Sequence, residues 1–326
     1  MNKDLSVWKF IYQHLSLDQP VMLLIVAESS GSSPGRQGFK MAVAHDDICG
    51  SIGGGIMEVK LAEHAKNLLQ AEAESVIKHQ VHRKDVAYDQ SGMICSGEQT
   101  VVYFRVKPVY MEFVRELLVC IENYEPALLT ISHIDRDAVL ALEKSTGIQP
   151  SVSFEKITKT DFVYREKTGK ENMLFIVGGG HCALALSELM SKFNFYITVI
   201  DDRPGLNTLH QNSFAQRIHV LEDYREVDTV IPQGPTVYVV IMTLGYRSDL
   251  IALQKLIRMS FSYLGLLGSK SKVTTLLTEL ENSGVEKRWI QRLRAPVGIP
   301  IDSHTPEEIA VSIAAEIIQH KNQVLA

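Results

Sequence analysis

The sequence of 326 residues has only four cysteines, and none of them belongs to a Cys-x-x-Cys pair. This spacing argues against a disulfide framework and against a zinc site built from close cysteine pairs. The eleven histidines are scattered along the chain as well. We therefore assign no metal site from the sequence.

Long apolar runs and an excess of positive charge are also missing. No apolar stretch approaches the ~20 residues that span a bilayer, and the first residues lack the pattern of a secretory signal. The net charge is −5, which disfavours a general nucleic-acid surface. We expect a cytoplasmic globular protein that has neither a nucleic-acid partner nor a membrane partner.

The length predicts two domains, and the pattern of strands changes along the chain. The first half mixes helices and strands, which predicts an α+β domain with a mainly antiparallel sheet. After the charged stretch REKTGKEN (Arg165 to Asn172), the nearly continuous apolar strands MLFIV, FYITVI, TVYVVIM and SYLGLL alternate mostly with helices. Such strands are typical of a parallel sheet covered on both faces. We place the domains at residues 1–168 and 169–326, and predict an α/β, Rossmann-like fold for the second.

The second domain opens with a dinucleotide-type glycine loop. A strand is followed by Gly178-x-Gly180-x-x-Ala183, a helix, another strand and Asp201. In this context the glycines allow a tight turn, the helix N-terminus attracts a pyrophosphate, and the acid accepts hydrogen bonds from a ribose diol. The same pattern also fits a Rossmann-like domain whose site is degenerate or empty.

Further residues of the same sheet edge are expected to complete a nucleotide site. Arg203 is close enough to Asp201 to reach a phosphate instead of a ribose, and GLLGSKSK is another turn from strand to helix. Ligands of open parallel sheets bind at the carboxyl ends of the strands. For NAD(P) or another nucleotide, the predicted cofactor-binding residues are Gly178, Gly179, Gly180, His181, Ala183, Asp201, Asp202, Arg203, Thr243, Gly268, Ser269 and Lys270.

Seven segments, spread over nearly the whole chain, carry a family resemblance. They are GSSPGRQGFKMAV, GSIGGGIMEVKLAE, MICSGEQTVVYF, FIVGGGHCALAL, TVIDDRP, YLGLLGSKSK and PVGIPIDSHTPEEIAVSIAAEI. In this order they resemble the motifs of the XdhC/CoxI family, the maturation factors of xanthine dehydrogenase and related molybdenum hydroxylases. The ordered combination is more specific than any single glycine loop.

The resemblance implies an assembly protein rather than a catalyst, with an N-terminal family domain and a C-terminal Rossmann domain. Such a protein binds molybdenum cofactor, protects it while its terminal oxo ligand is exchanged for sulfur, and delivers it to the apoenzyme. The implied partners are a xanthine dehydrogenase-type molybdoenzyme, a cysteine desulfurase-type sulfur donor and a second copy of the chain in a homodimer.

The first glycine run, Gly53-Gly54-Gly55, lacks the strand–helix–strand frame of a dinucleotide loop and the Lys-Ser or Lys-Thr of a P-loop. We predict that it cradles the pterin or phosphate end of molybdenum cofactor, with its backbone N–H groups on the phosphate. The alternative is that three glycines only allow a helix and a sheet to pack closely.

Three side chains are predicted to complete this site. Glu58 is assigned to the N–H edge of a pterin, although an acid near a helix start also favours the helix dipole. Arg36 is assigned to phosphate. Cys95 is assigned to the metal or to sulfur transfer, provided that its surroundings lower the thiol pKa.

Two departures from the family pattern bear on ligands. Ile56 follows the triple glycine where the family often has a cysteine, and Leu244 and Tyr246 stand where histidines are expected. If either position supplies a metal or sulfur ligand in the family, this chain lacks that ligand.

Two other functions stay open at the level of the sequence. An NAD(P)-dependent oxidoreductase, or a dehydrogenase accessory subunit, would use the Rossmann domain, but no evident catalytic His-Asp or Tyr-Lys motif accompanies it. An assembly scaffold that binds no ligand would recruit the apoenzyme and the sulfur donor, and it would keep these partners after damage to Gly54 and Gly179.

Overall fold

The computed structural model describes residues 3–82, 97–144, 151–169 and 172–324. The chain divides into two compact units, residues 1–169 and 170–326. The first is α+β with antiparallel strand pairs, and the second is an α/β unit with a parallel sheet. These architectures confirm the predicted fold class.

The first unit is built from three longer helices and two groups of strands, within the residues described. The helices are α1 (Lys3–Ser16), α2 (Gly55–Gln70) and α3 (Met111–Glu122). The strands are β1 (Val21–Gly31), β2 (Lys40–Val43), β3 (Ile48–Gly50), β4 (Ser75–His82), β5 (Gly97–Val106), β6 (Ala127–Ile134), β7 (Asp137–Lys144), β8 (Val152–Lys156) and β9 (Phe162–Thr168).

These strands form two sheets rather than the single sheet that the sequence suggested. One has the order β3-β2-β1-β5-β4 and the other β7-β6-β9-β8, and the neighbouring strands are antiparallel. Strand β1 is buried on both faces: Leu24 shares a core with Met57 of α2, and Leu23 shares another with Trp8 of α1. Double burial explains why this strand is a continuous apolar run.

The charged stretch from Arg165 to Asn172, which the sequence analysis placed between the domains, contains the division between the two units, and its described residues are mostly strand. Strand β9 continues to Thr168, and the first strand of the second unit starts at Asn172. Charged side chains hide the strand pattern, because the buried Glu166 and the exposed Arg165 are both polar.

The second unit has a parallel sheet in the order β12-β11-β10-β13-β14, with helices on both faces. Its strands are β10 (Asn172–Val177), β11 (Phe195–Asp201), β12 (Arg217–Val220), β13 (Gly234–Ile241) and β14 (Phe261–Leu266). Its helices are α4 (His181–Met190), α5 (Asn207–Gln211), α6 (Val227–Val230), α7 (Tyr246–Leu256), α8 (Lys270–Asn282), α9 (Lys287–Ile290) and α10 (Pro306–Val324).

The strand order reverses between β10 and β13, which makes the crevice between their carboxyl ends the expected ligand position. On one face α4 and α10 cover the sheet, and on the other α7 and α8 do so. Across the described part of the chain, no helix is long and apolar enough to cross a membrane.

Candidate functional site

The glycine loop of the second unit connects β10 to α4 at the carboxyl edge of the sheet. Gly178 has a φ of +109°, and a Cβ there would lie 2.3 Å from the carbonyl oxygen of Met242. A Cβ on Gly179 would lie 2.4 Å from Cδ2 of Leu209. A Cβ on Gly180 would meet nothing within 4 Å. Packing therefore explains the first two glycines, whereas the third faces open space.

Asp201, at the end of β11, is fully buried and bound within the protein. Its Oδ2 accepts hydrogen bonds from the N–H of Gly179 at 2.6 Å and from Nη2 of Arg203 at 2.8 Å. Its Oδ1 accepts from the backbone N–H of Arg203 at 2.9 Å and from Nε at 2.8 Å. Burial raises the pKa of this carboxyl, but these hydrogen bonds outweigh burial and hold the pKa below its ordinary value.

The four hydrogen bonds fill the acceptor positions of the Asp201 carboxylate. A ribose diol, which the sequence analysis assigned to Asp201, would have to displace Arg203. The arrangement thus does not fit a dinucleotide ribose at this carboxylate, although the backbone at Gly180 is open to a phosphate.

A second polar cluster lies between the ends of β13 and β14, and the sequence analysis identified only part of it. The buried Asp249 of α7 accepts hydrogen bonds from the backbone N–H of Thr243 at 3.0 Å and from its hydroxyl at 2.5 Å. It also forms an ion pair with Lys272 of α8. In the sequence, Asp249 ends the segment TLGYRSD that starts at Thr243, and Lys272 ends the segment SKSK that starts at Ser269. These two residues were the sequence signals for the ion pair. The cluster ties the loop after β13 to the first turn of α8, which follows β14.

The other residues predicted for the nucleotide site have less direct roles. His181 is exposed on the first turn of α4, whereas Ala183 is buried against the sheet. Oδ1 of Asp202 lies 3.8 Å from Nε of Arg203. After β14, Ser269 caps α8 by accepting a hydrogen bond from a backbone N–H one turn later, beside Gly268 and the exposed Lys270.

The triple glycine of the first unit leads into α2 and contacts the turn that carries Arg36. Gly53, Gly54 and Gly55 have φ values of +132°, +78° and +73°. A Cβ on Gly53 would lie 2.6 Å from the backbone nitrogen of Gly35, whereas a Cβ on Gly54 would meet nothing within 4 Å. Close packing therefore accounts for Gly53, and Gly54 faces open space.

Glu58 binds the glycine loop from the first turn of α2. Its Oε2 accepts hydrogen bonds from the hydroxyl of Ser51 at 2.6 Å and from the N–H groups of Ile52 at 2.8 Å and Gly54 at 2.9 Å. Burial raises the pKa of this carboxyl, but the hydrogen bonds outweigh burial and hold the pKa below its ordinary value. The N–H groups of Ile52 and Gly54 are thus engaged, contrary to the assignment of the loop amides to a phosphate.

The other two residues predicted for this site are Arg36 and Cys95. Arg36 is exposed, and its Nη1 donates to the carbonyl of Gly31 at 3.3 Å. Cys95 lies outside the described residues. Of the half-buried thiols that are described, burial raises the pKa of Cys120 and Cys182, so neither resembles a reactive thiolate.

No metal cluster is found in the part of the chain that the structure describes. There, no group of three or more His, Cys, Asp or Glu side chains could hold a metal ion. The side chains around both glycine loops instead offer amides, guanidinium groups and carboxylates.

Comparison with known proteins agrees with the sequence motifs. A model described as the XdhC and CoxI family matches residues 14–80, and one described as the XdhC Rossmann domain matches residues 174–317. The chain is 29% identical over 305 residues to the "Uncharacterized protein YqeB" of Escherichia coli (strain K12), covering 93% of this chain and 44% of that protein. It is 29% identical over 167 residues to a protein of Bacillus subtilis (strain 168) named as a probable xanthine dehydrogenase subunit, covering 51% of this chain and 48% of that protein.

A crystal structure described as a xanthine dehydrogenase from Bacillus halodurans has the same fold. Its TM-score is 0.70 at 23% identity, over 98% of this chain and 96% of that chain. The chain spans less than half the length of the two curated relatives. The family models match separate segments, one in each unit, and together they cover more than half of the residues. The chain therefore belongs to the XdhC/CoxI family.

Proposed function

We propose that this protein is a maturation factor for a xanthine dehydrogenase-type molybdenum hydroxylase and that it carries molybdenum cofactor as its cargo. Family membership and the name of the Bacillus subtilis relative support the client class. The observation that carries the proposal is the contact between Gly53 and the backbone of Gly35, because the exposed Arg36 follows Gly35 in the chain and Gly54 of the same loop faces open space.

The cargo is proposed to approach this loop at Gly54, where a side chain would otherwise stand. Arg36 supplies charge-assisted hydrogen bonds to the phosphate, a role that suits the planar guanidinium. The three bonds from Glu58 to its own loop use Oε2. We assign its Oε1 to the N–H edge of the pterin, because an ionised carboxylate is a strong acceptor.

The test is anaerobic purification from cells that make molybdenum cofactor, followed by molybdenum analysis and identification of released pterin and nucleotide. Arg36→Gln removes the charge at an exposed position, and Arg165→Gln removes an exposed charge on β9 as the matched control. We expect near-stoichiometric molybdenum and pterin with the wild type and the control, and a clear loss with Arg36→Gln. Equal retention by both variants would contradict the proposed site.

Two alternative functions predict different ligands in the same purification. Tight NAD(P) without pterin would favour an oxidoreductase, which the engaged Asp201 carboxylate disfavours. Absence of both ligands, with client binding intact, would favour a scaffold. A cysteine desulfurase-type donor and a homodimer complete the proposal, and affinity capture and sedimentation of the same sample test them.

A further inference from the structure

A cavity of about 400 Å³ lies beside β14 in the second unit. Its lining is aromatic at Phe261, Tyr263 and Trp289, and cationic at Arg292 and Arg294. The volume is within the range of small-molecule sites, which combine an apolar surface with a few polar groups. The residue types therefore suit a ligand that has a flat apolar body and a negative charge.

The cavity is separate from the glycine loop of the second unit. Its strand residues, Phe261–Leu264, belong to the first part of β14, whereas Gly268 and Ser269 follow the other end of this strand. The glycine loop of the Rossmann sheet lies at the carboxyl edge, where Gly268 also lies. A ligand in the cavity would thus occupy a different part of the second unit.

The charge of the lining has one sign. No Asp or Glu is among the lining residues, all of which the structure describes. The guanidinium carbon of Arg292 lies 5.3 Å from the ring centroid of Trp289, and Nη2 of Arg292 donates to the carbonyl of Phe261 at 3.4 Å. Arg292 is therefore held against the aromatic wall of the cavity.

Glu316 contacts Tyr263 of the aromatic wall, and its carboxylate is already hydrogen-bonded within the protein. Oε2 of Glu316 accepts hydrogen bonds from the hydroxyl of Tyr263 at 2.7 Å and from the N–H of Gly298 at 2.6 Å. In addition, Nε2 of His320 is buried and has no hydrogen-bond partner among the described residues. A buried polar atom without a partner is unfavourable, and His320 belongs to the lining.

We propose that this cavity binds a small organic anion with a planar aromatic body. Its carboxylate or phosphate group faces Arg292 and Arg294, and its ring packs against Trp289, Phe261 and Tyr263. Carboxylate and phosphate share the chemistry that guanidinium groups recognise. Separate ligands in the test distinguish the two.

The test uses the full chain labelled with ¹⁵N at the tryptophan indoles. The chain has two tryptophans, Trp289 in the cavity wall and the buried Trp8 in the first unit, so each sample contains an internal control. A Trp8→Phe variant assigns the two signals. The probes are naphthoate, naphthyl phosphate and the neutral isostere naphthamide.

We expect naphthoate or naphthyl phosphate to shift the Trp289 signal and not the Trp8 signal. The tighter of the two anions identifies the charged group. Naphthamide should bind about tenfold more weakly than naphthoate, as expected when a charge-assisted hydrogen bond is lost. Arg294→Gln should weaken the binding of the anion by a similar factor. Arg258→Gln, at an exposed arginine beside the lining, should leave the affinity unchanged.

Three results would overturn the proposal. One is a Trp289 signal that does not move with either anion up to the solubility limit. Another is equal affinity for naphthoate and naphthamide. The third is equal affinity of the Arg294→Gln and Arg258→Gln variants. Because both arginines are exposed, these variants are expected to fold, and a dispersed Trp289 signal without ligand checks the fold of the second unit in each sample.

Discussion

Lys40 joins helix α1 to a strand of each sheet in the first unit, and its replacement gives a sharp test of the packing. The side chain is 1% exposed, and its ammonium donates to Glu166 of β9 at 2.8 Å and to the carbonyl of Gly38 at 3.0 Å. Oδ1 of Asp4 on α1 lies 3.3 Å away. Burial lowers the pKa of Lys40, but Asp4 and Glu166 outweigh burial and raise it above the ordinary value.

Lys40→Met should lower the free energy of unfolding of the first unit by about 3–5 kcal/mol at pH 8. This is the usual effect of removing one partner from a buried ion pair, because the other charge stays buried without compensation. Burial already raises the pKa of Glu166 to about 7. Without Lys40 that pKa rises further, since desolvation remains and the attraction is lost.

The size of the effect should therefore depend on pH. A carboxyl whose folded pKa lies above its unfolded value stabilises the fold below the unfolded pKa, and this contribution is lost as pH rises through the folded pKa. The folded pKa of Glu166 is higher in Lys40→Met than in the wild type. The variant should consequently be penalised least near pH 5 and most at pH 8.

Urea unfolding followed by Trp8 fluorescence measures this effect in a Trp289→Phe background, because Trp8 lies in the core of the first unit. Lys40→Met/Glu166→Gln should regain much of the lost stability, since neither charge remains and the hydroxyl of Tyr164 keeps an acceptor. An effect below about 1 kcal/mol at pH 8, a smaller effect at high pH than at low pH, or a double variant no more stable than the single one would refute the reasoning.

Three further predictions concern the glycine loops and their neighbours. Gly178→Ala should destabilise the second unit by about 1–3 kcal/mol, because its φ is +109° and a Cβ meets a backbone carbonyl, whereas Gly180→Ala should be neutral. Urea unfolding followed by the fluorescence of Trp289, in a Trp8→Phe background, measures both variants, and equal effects would contradict the geometry. Glu58→Gln should destabilise the first unit by about 0.5–2 kcal/mol at pH 7 and by less at pH 4. The pKa of Glu58 is lowered in the folded protein, so its carboxylate adds stability that is lost as the pH falls through that pKa. Thermal melts at both pH values measure this, and a pH-independent effect would argue against it. Lys272→Met should lower the melting temperature more than Lys270→Met, because Lys272 pairs with a buried carboxylate; equal shifts would argue against the importance of that pair.

The sequence predicts elements whose signal is local. Strand β1 is recognisable because residues 21–27 are all buried and apolar. The start of α10 is recognisable because Thr305 and Glu308 form a capping box, with N–H groups bound in both directions. Strand β9 lacks such a signal, because Glu166 is inside only by virtue of Lys40, which lies 126 positions earlier. A local sequence pattern cannot predict that a buried charge is compensated by a residue far away in the chain.

The same distinction applies to the two candidate sites. Sequence motifs locate both glycine loops and the acid near each. They do not reveal that Glu58 accepts hydrogen bonds from the backbone of the first loop and Asp201 from the backbone of the second. The first N–H groups of a helix and the amides of a tight turn need acceptors. A carboxylate on the same chain supplies one without the entropy loss of binding a separate molecule. The acids therefore stabilise the loops, and ligand contacts are left to the open positions at Gly54 and Gly180.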